Sequence, residues 1–384
     1  MAQHKERIKV CFPFSGDAIG GSHISVLGLL AALDPERYEP IIVPETPDGR
    51  IATLFGAYRQ IPDPVRNAEQ FVPGEAFSVR KYARTFGGVR HRAALLRARE
   101  IDIVHVNDGR TSADWGVAAR LARVPLIWHN RGDPRALGLR LAAPILADRV
   151  LCVSEFALPS RGMWSAAGKA EVVYSPFDTS LTVDRREARA AIGQELGIGP
   201  DALVLGFFGA FVERKRPLVF VDLVARLRQM LDRQVLGVMF GEARRPEMHA
   251  AVQARIAATG TCDVVKLMGY RDPGVFWMAA CDQLVVPAVA EPFGRTLVEA
   301  MLVGTPVVAA RSGGNIEALR DTLGVLVPPD DVGALARASA ELARDPCRAA
   351  VLAERAMADA RHRFGIAQHC ERVTAAYARV LCHP

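Results

Sequence analysis

No apolar run in these 384 residues approaches the roughly 18 that a membrane-crossing helix needs. That sets aside a membrane-spanning chain and leads us to expect a soluble one. Residues 3–7 are polar or charged and lead straight into a strand-like segment, without an apolar signal segment. Export is therefore not expected, and the cytoplasm is the expected location. Cysteine is sparse: seven residues (Cys11, Cys152, Cys262, Cys281, Cys347, Cys370, Cys382), with no C-x-x-C pair among them. A zinc ribbon or redox dithiol is thus not expected, and the thiols are read as buried and reduced. There is no D-x-D, hence no evident carboxylate pair for a divalent ion; neither metal nor cofactor is expected. No G-x-G-x-x-G follows the first strand-like run, which weakens a dinucleotide reading. Fixed-period repeats and low-complexity tracts are also missing.

What is present is a globular composition, 50% hydrophobic and 23% charged, in a chain long enough for two cores. The net charge of +6 and pI of about 9.1 suit nucleic acid, an anionic membrane surface or a phosphate-bearing substrate. Composition does not choose among these; the motifs below point to the last, and no nucleic-acid partner is expected. Short apolar runs recur at 8–12, 39–43, 103–106, 126–128, 149–153 and 172–174, then at 204–208, 236–240, 264–267, 283–286, 306–309 and 324–327. Such runs suit parallel strands buried on both faces, and helical stretches separate them. Twelve strands are many for one open sheet. The spacing predicts an α/β chain of two facing Rossmann-like domains, each a parallel sheet with helices on both faces. We place them at 1–178 and 203–364, with 179–202 as a linker plus a short helix. Residues 365–384 form a closing helix with Ile366, Cys370, Val373, Tyr377 and Val380 on one face. Ligands of such folds sit at the C-terminal ends of strands, so the chemistry should follow each strand.

The strongest signal is Glu291-Pro292-Phe293-Gly294-Arg295-Thr296-Leu297-Val298-Glu299, after the run at 283–286 and opening a helix. A helix start leaves free amides and partial positive charge, so Thr296 and Leu297 are candidates to hold a phosphate. Glu291 and Glu299 can each hold hydroxyls of a long polar ligand; in isolation each would be read as a dipole-favouring or solvated acid. The second signal is Gly209-Ala210-Phe211-Val212-Glu213-Arg214-Lys215-Arg216-Pro217. Three cations at a helix head oppose its dipole unless an anion such as a diphosphate lies there, or unless the loop is merely solvated. The third is Ser15-Gly16-Asp17-Ala18-Ile19-Gly20-Gly21, read either as close backbone approach to a ligand or as a tight strand–helix turn. His105, Asn107 and His129 end strands of the first half, as ligand contacts or as satisfied structural residues. Tyr270 follows 264–267 and can stack on a base or pack in its loop. A basic run, Arg80, Lys81, Arg84, Arg90, Arg92, Arg97 and Arg99, is interleaved with apolar residues. It reads either as a surface for anionic lipid or as a solvated helix pair.

Glu291 to Glu299 resembles the E-x7-E signature of glycosyltransferase family 4 (glycosyl transferases group 1), a retaining family with the GT-B fold. Gly304-Thr305-Pro306-Val307-Val308-Ala309, Ser312-Gly313-Gly314-Asn315-Ile316-Glu317 and Gly324-Val325-Leu326-Val327 with Asp331 resemble its following blocks in register. The resemblance implies a nucleoside-diphosphate-sugar donor held by the second domain, with the first on the acceptor side. It implies Glu291 on the transferred sugar and Glu299 on the ribose. Amides near Phe293, Gly294, Thr296 and Leu297 would hold sugar hydroxyls and the distal phosphate, while Lys215 grips the diphosphate. Gly20, Gly21, Gly209, His129 and Tyr270 are implied as donor contacts. The sequence departs from the family at Ala210, where an Arg is usual, and at Ser175-Pro176, where Asn-Gly is usual. Arg214 is the candidate to supply the missing cation. The acceptor, whether glycan, lipid-linked or small molecule, is not implied. A non-catalytic nucleotide-sugar-binding subunit and an epimerase on the same fold are the alternatives.

Overall fold

The computed structural model describes residues 7–65 and 88–382. The chain divides into two compact units, one of Met1–Phe177 with Ile366–Pro384, the other of Asp178–Gly365. The strands of the first are β1 (Ile8–Phe14), β2 (Tyr38–Pro44), β3 (Arg59–Gln60), β4 (Ile103–Val106), β5 (Leu126–Asn130), β6 (Arg149–Cys152) and β7 (Ala170–Val172). They form one sheet in the order β3-β2-β1-β4-β5-β6-β7. The second sheet has β8 (Leu203–Phe208), β9 (Val235–Phe240), β10 (Val265–Gly269), β11 (Gln283–Val286), β12 (Val307–Ala310) and β13 (Val325–Val327), in the order β10-β9-β8-β11-β12-β13. Every pairing is parallel. Every residue of β4, β5, β8, β9, β11 and β12 is buried. Successive side chains point to opposite faces, so both faces of each sheet are covered. β3 has two residues, too few for a periodicity, and was not expected.

The core of the second unit joins β8, β9 and β11 to helices Pro217–Met230 and Val332–Arg344. That of the first joins β1, β4 and β5 to helix Gly21–Ala32 and, from the far end of the chain, to Val373, Ala376, Tyr377 and Val380. The final helix, Ile366–Cys382, thus belongs to the first unit, and its Cys370 Sγ lies 3.2 Å from the Ala32 carbonyl. The stretch 179–202 groups with the second unit. Its helix Arg185–Leu196 is capped by Asp184, ends at left-handed Gly197 and buries Ala188 and Ile192. Arg185 donates to the Val303 carbonyl and Thr305 Oγ1, at 3.1 and 2.7 Å.

Two expectations need correction. Cys262, Cys347 and Cys382 are exposed; Cys11, Cys152 and Cys281 are buried, and burial pushes the Cys152 thiol up to about 12. In the basic run, Arg80, Lys81 and Arg84 lie outside the described residues. Arg90, Arg97 and Arg99 are exposed, but Arg92 is not a surface residue. Helix Val89–Ala98 turns it inward with Val89, Ala93 and Leu96. There it meets Asp63 at 2.9–3.1 Å, Asp114 at 3.6 Å and the Trp115 ring at 5.4 Å. A guanidinium is buried only when its charge is met, and here two carboxylates meet it.

Candidate active site

The second sheet reverses its strand order between β8 and β11. Connections leaving those neighbours diverge and open a crevice at their C-terminal ends. Three adjacent strands end there on glycines with positive φ: Gly209 (127°), Gly241 (128°) and Gly269 (68°). A Cβ on Gly241 would stand 2.2 Å from the Gly209 carbonyl oxygen, so only glycine allows these strand ends to lie so close.

Beyond Gly209 the chain makes a 3-10 turn, Glu213–Lys215, and a left-handed residue, Arg216, before helix Pro217–Met230. Arg214 and Lys215 both reach Glu291, which follows β11. Lys215 Nζ stands 3.2 Å from Glu291 Oε2, and the Arg214 guanidinium donates to the same oxygen. Burial would push the Glu291 carboxyl upward, but the two cations and their hydrogen bonds outweigh it and hold the carboxyl below its usual range. Arg216 turns away to Asp330, at 2.9 Å. The three cations expected to share one anion are therefore divided.

The loop carrying Glu291 is fixed by the Gly-Gly turn. The Gly314 amide donates to the Glu291 carbonyl at 2.7 Å, and the Ala290 amide donates to Ser312 Oγ at 2.9 Å. A Cβ on Gly313 would stand 2.5 Å from the Glu291 carbonyl oxygen, and one on Gly314 would stand 2.7 Å from that of Pro292. Phe293 is buried edge-on against Phe364. Gly294 (φ 78°) starts helix Arg295–Leu302. The Leu297 amide, expected to be open, closes the first turn onto the Gly294 carbonyl at 3.1 Å, so a ligand there would share or displace that bond. Thr296 keeps an amide of the kind a helix start leaves without an intrahelical acceptor. Glu299 pairs with Arg295 one turn earlier, at 3.3 Å.

Asn315 escaped the sequence reading, although it lies inside a quoted motif. It is buried, and its Nδ2 donates to the carbonyls of Ala288 and Ala310 at 3.3 and 3.0 Å, tying together the segments after β11 and β12. Its Oδ1 has no partner among the described residues and faces Gly294. Tyr270, at the end of β10, is 73% exposed, so it is not the packed loop residue of the alternative reading. Arg271 packs instead, paired with Glu195 at 2.6 and 3.2 Å and lying over Trp277.

In the first unit, Gly20 caps helix Gly21–Ala32 while its amide donates to His23 Nδ1 at 3.1 Å. A Cβ on Gly20 would meet no atom within 4 Å, so this turn itself does not demand glycine there. His129 is enclosed. Its ring stacks between His105 (centroids 5.4 Å apart) and His369 (5.8 Å). His129 Nδ1 lies 3.2 Å from His105 Nε2 and 3.3 Å from Arg131 Nη2. Arginine can only donate, so Nδ1 accepts and the neutral ring carries its proton on Nε2. His105 Nε2 then donates to it, and His105 Nδ1 accepts from Tyr377 OH at 2.6 Å. Burial, then Arg131, pushes His105 and His129 well below the usual histidine range. The His129 ring is thus a packed residue rather than an open sugar contact. A strand-end position is shared by both kinds of histidine and does not distinguish them. Arg131, His369 and Tyr377 complete the cluster; Tyr377 lies on the buried face of the final helix, as expected, and its bond to His105 spans 272 residues.

The family model for Glycosyl transferases group 1 matches residues 188–360, and that for Glycosyltransferase Family 4 matches residues 19–181. A D-inositol 3-phosphate glycosyltransferase of Kribbella flavida is 35% identical over 188 residues, 46% of this chain and 43% of that protein. One of Thermobispora bispora is 28% identical over 318 residues, 77% of this chain and 74% of that one. The chain therefore spans less than half the length of the first relative. The crystal structure of Anabaena HepE with UDP and glucose superimposes with a TM-score of 0.80 over 97% of this chain and all of that one, at 24% identity, and shows the same fold. With the two family models lying end to end along its two parallel-sheet units, the chain belongs to the group 1 glycosyltransferases of the GT-B fold.

Proposed function

We propose that the protein transfers a sugar from a nucleoside-diphosphate sugar to an acceptor hydroxyl, with retention at the anomeric carbon and without a metal ion. The convergence of Arg214 and Lys215 on Glu291, at the switch point between β8 and β11, carries this reading. Two cations share one carboxylate, which leaves a net positive charge for a second anion. A diphosphate bound there would take over the charge-assisted bonds to Arg214 and Lys215, with Arg214 doing the work of the Arg missing at Ala210. Glu291, released from them, would accept bonds from hydroxyls of the transferred sugar, and Glu299 from the ribose. The anomeric C–O bond to phosphate breaks as the acceptor oxygen attacks from the same face, and the departing phosphate takes the acceptor proton. Catalysis is then positioning and stabilisation of the leaving charge. Two of the relatives are named for D-inositol 3-phosphate, which makes a phosphorylated polyol a first acceptor to try.

The test is turnover of a panel of nucleotide sugars with candidate acceptors, with and without EDTA, the product anomer being read by NMR. A product of the donor's own anomeric configuration, formed equally in EDTA, is expected. An inverted product, or loss of turnover in EDTA, would overturn the mechanism. Donor binding without any transfer would favour the non-catalytic subunit.

A further inference from the structure

The segments after β5 and β6 border a hollow of about 550 Å³. Arg135, Arg140 and Leu141 line it from the first segment, Arg161 and Trp164 from the second, and no carboxylate residue does. Its volume falls within the roughly 300–1,000 Å³ of small-ligand sites. Both segments leave the C-terminal ends of their strands, where ligands of parallel α/β sheets sit. All three arginines are exposed, and among the described residues none of their guanidinium groups meets a carboxylate. Exposed Arg59, Arg120 and Arg228 are each paired with one. Of the four tryptophans, Trp115 and Trp128 are buried and Trp277 is half-buried. Trp164 alone stands in water, 63% exposed.

Charge and shape choose the ligand. Three cations around an acid-free hollow call for an anion, and a guanidinium meets a carboxylate or a phosphate through two parallel bonds. A bare ion would leave the Trp164 ring in water. A pyranose has C–H groups on its faces and hydroxyls around its rim, so it covers an indole while its edge still bonds to arginine or water. Along the first sheet β5 and β6 follow β4, at about 4.8 Å per strand. The hollow therefore lies to one side of the crevice between β1 and β4, where that sheet reverses its strand order. A chain whose end lay in that crevice would bring a neighbouring unit to the hollow. We propose that the hollow binds a sugar unit of an acidic saccharide chain, its ring on Trp164 and its carboxylate or phosphate among Arg135, Arg140 and Arg161. Resting on the transfer reaction proposed above, this names the acceptor class: an anionic glycan, held away from its reacting end. Such a ligand carries the negative charge of a phosphorylated polyol and adds sugar rings for Trp164.

Acrylamide quenching of tryptophan emission in the full chain, with no donor present, tests the proposal. Hexagalacturonate or pentamannose 6-phosphate should shield Trp164, and maltohexaose at the same concentration should not. By calorimetry, Trp164→Ala should weaken binding of the acidic saccharide roughly tenfold, and Arg140→Ala or Arg161→Ala about threefold to fivefold each. These positions are exposed, and unchanged melting of each variant confirms folding. Three results would overturn the proposal: no shielding by either acidic saccharide, equal shielding by maltohexaose, or equally effective displacement by poly-L-glutamate. Shielding by phosphatidylglycerol vesicles in place of the saccharides would also overturn it and give the face to lipid. Because no donor enters the assay, failed sugar transfer would leave this site standing, and failed shielding would leave the donor site standing.

Discussion

Lys215 and Arg92 illustrate two fates of a cation inside this protein. Lys215 meets one carboxylate and shares it, so it keeps charge to offer to a ligand. In the proposed reaction that charge matters most as the diphosphate leaves. Lys215→Ala should therefore lower kcat by about 10²–10³ while changing the donor Kd far less, as steady-state rates beside calorimetric binding would show. A variant that lost only affinity would remove Lys215 from the leaving-group role. Arg92 is instead met by Asp63 and Asp114 and lies against Trp115. Arg92→Ala would leave two buried acids without their cation. It should cost about 3–5 kcal/mol in urea unfolding, whereas exposed Arg90→Ala should change stability by no more than about 0.5 kcal/mol.

At the scale of elements, the Gly-Gly turn is the part whose sequence and geometry agree most closely. Gly313 sits at φ 56° with the Glu291 backbone against it, so Gly313→Ala must push that loop away. The expected cost is about 1–3 kcal/mol, with loss of donor binding as Glu291 moves; unchanged binding would mean that the loop is not held by this turn. The strands were legible because buried parallel strands are apolar on both faces, and their runs stand out along the chain. That Gly209, Lys215 and Glu291 follow strands was legible because the turns that carry them are local. The bond from the Leu297 amide to the Gly294 carbonyl was not, because that closure depends on the left-handed start. The histidine stack was not, because His105, His129 and His369 come together only after the final helix returns to the first unit. Even so, His369 lies four residues before Val373 and eight before Tyr377, the spacing of that helix's buried face.

Over the whole molecule, the buried histidines make stability depend on pH. His105 and His129 are held neutral when folded, chiefly by burial, while in the unfolded chain they titrate near about 6.5. Above that pH neither state takes the proton and the stability is whole. As pH falls below it, the unfolded chain binds protons that the folded chain refuses, and each such histidine removes about 1.4 kcal/mol per pH unit. Urea melts of the first unit's transition should move to lower denaturant from pH 7 to pH 5, and His129→Gln should shallow the trend; a flat profile would contradict the burial of these rings. Glu291 acts lower down: its depressed carboxyl contributes stability above the ordinary Glu range, and this is lost as pH falls through and below that range.

In the proposed function the second unit would hold a nucleotide sugar between the segments that follow β8 and β11. The most direct measurement is thermal unfolding of the full chain against a panel of nucleoside diphosphates and nucleotide sugars, beside Glu299→Ala. A ligand at a hundred times its Kd stabilises the native state by about 2.7 kcal/mol. One nucleotide class should therefore raise the transition of the second unit by several degrees, leave that of the first in place, and lose its effect in the variant. If no nucleotide moved either transition, or if the variant responded as the wild type does, the account of this site would be contradicted.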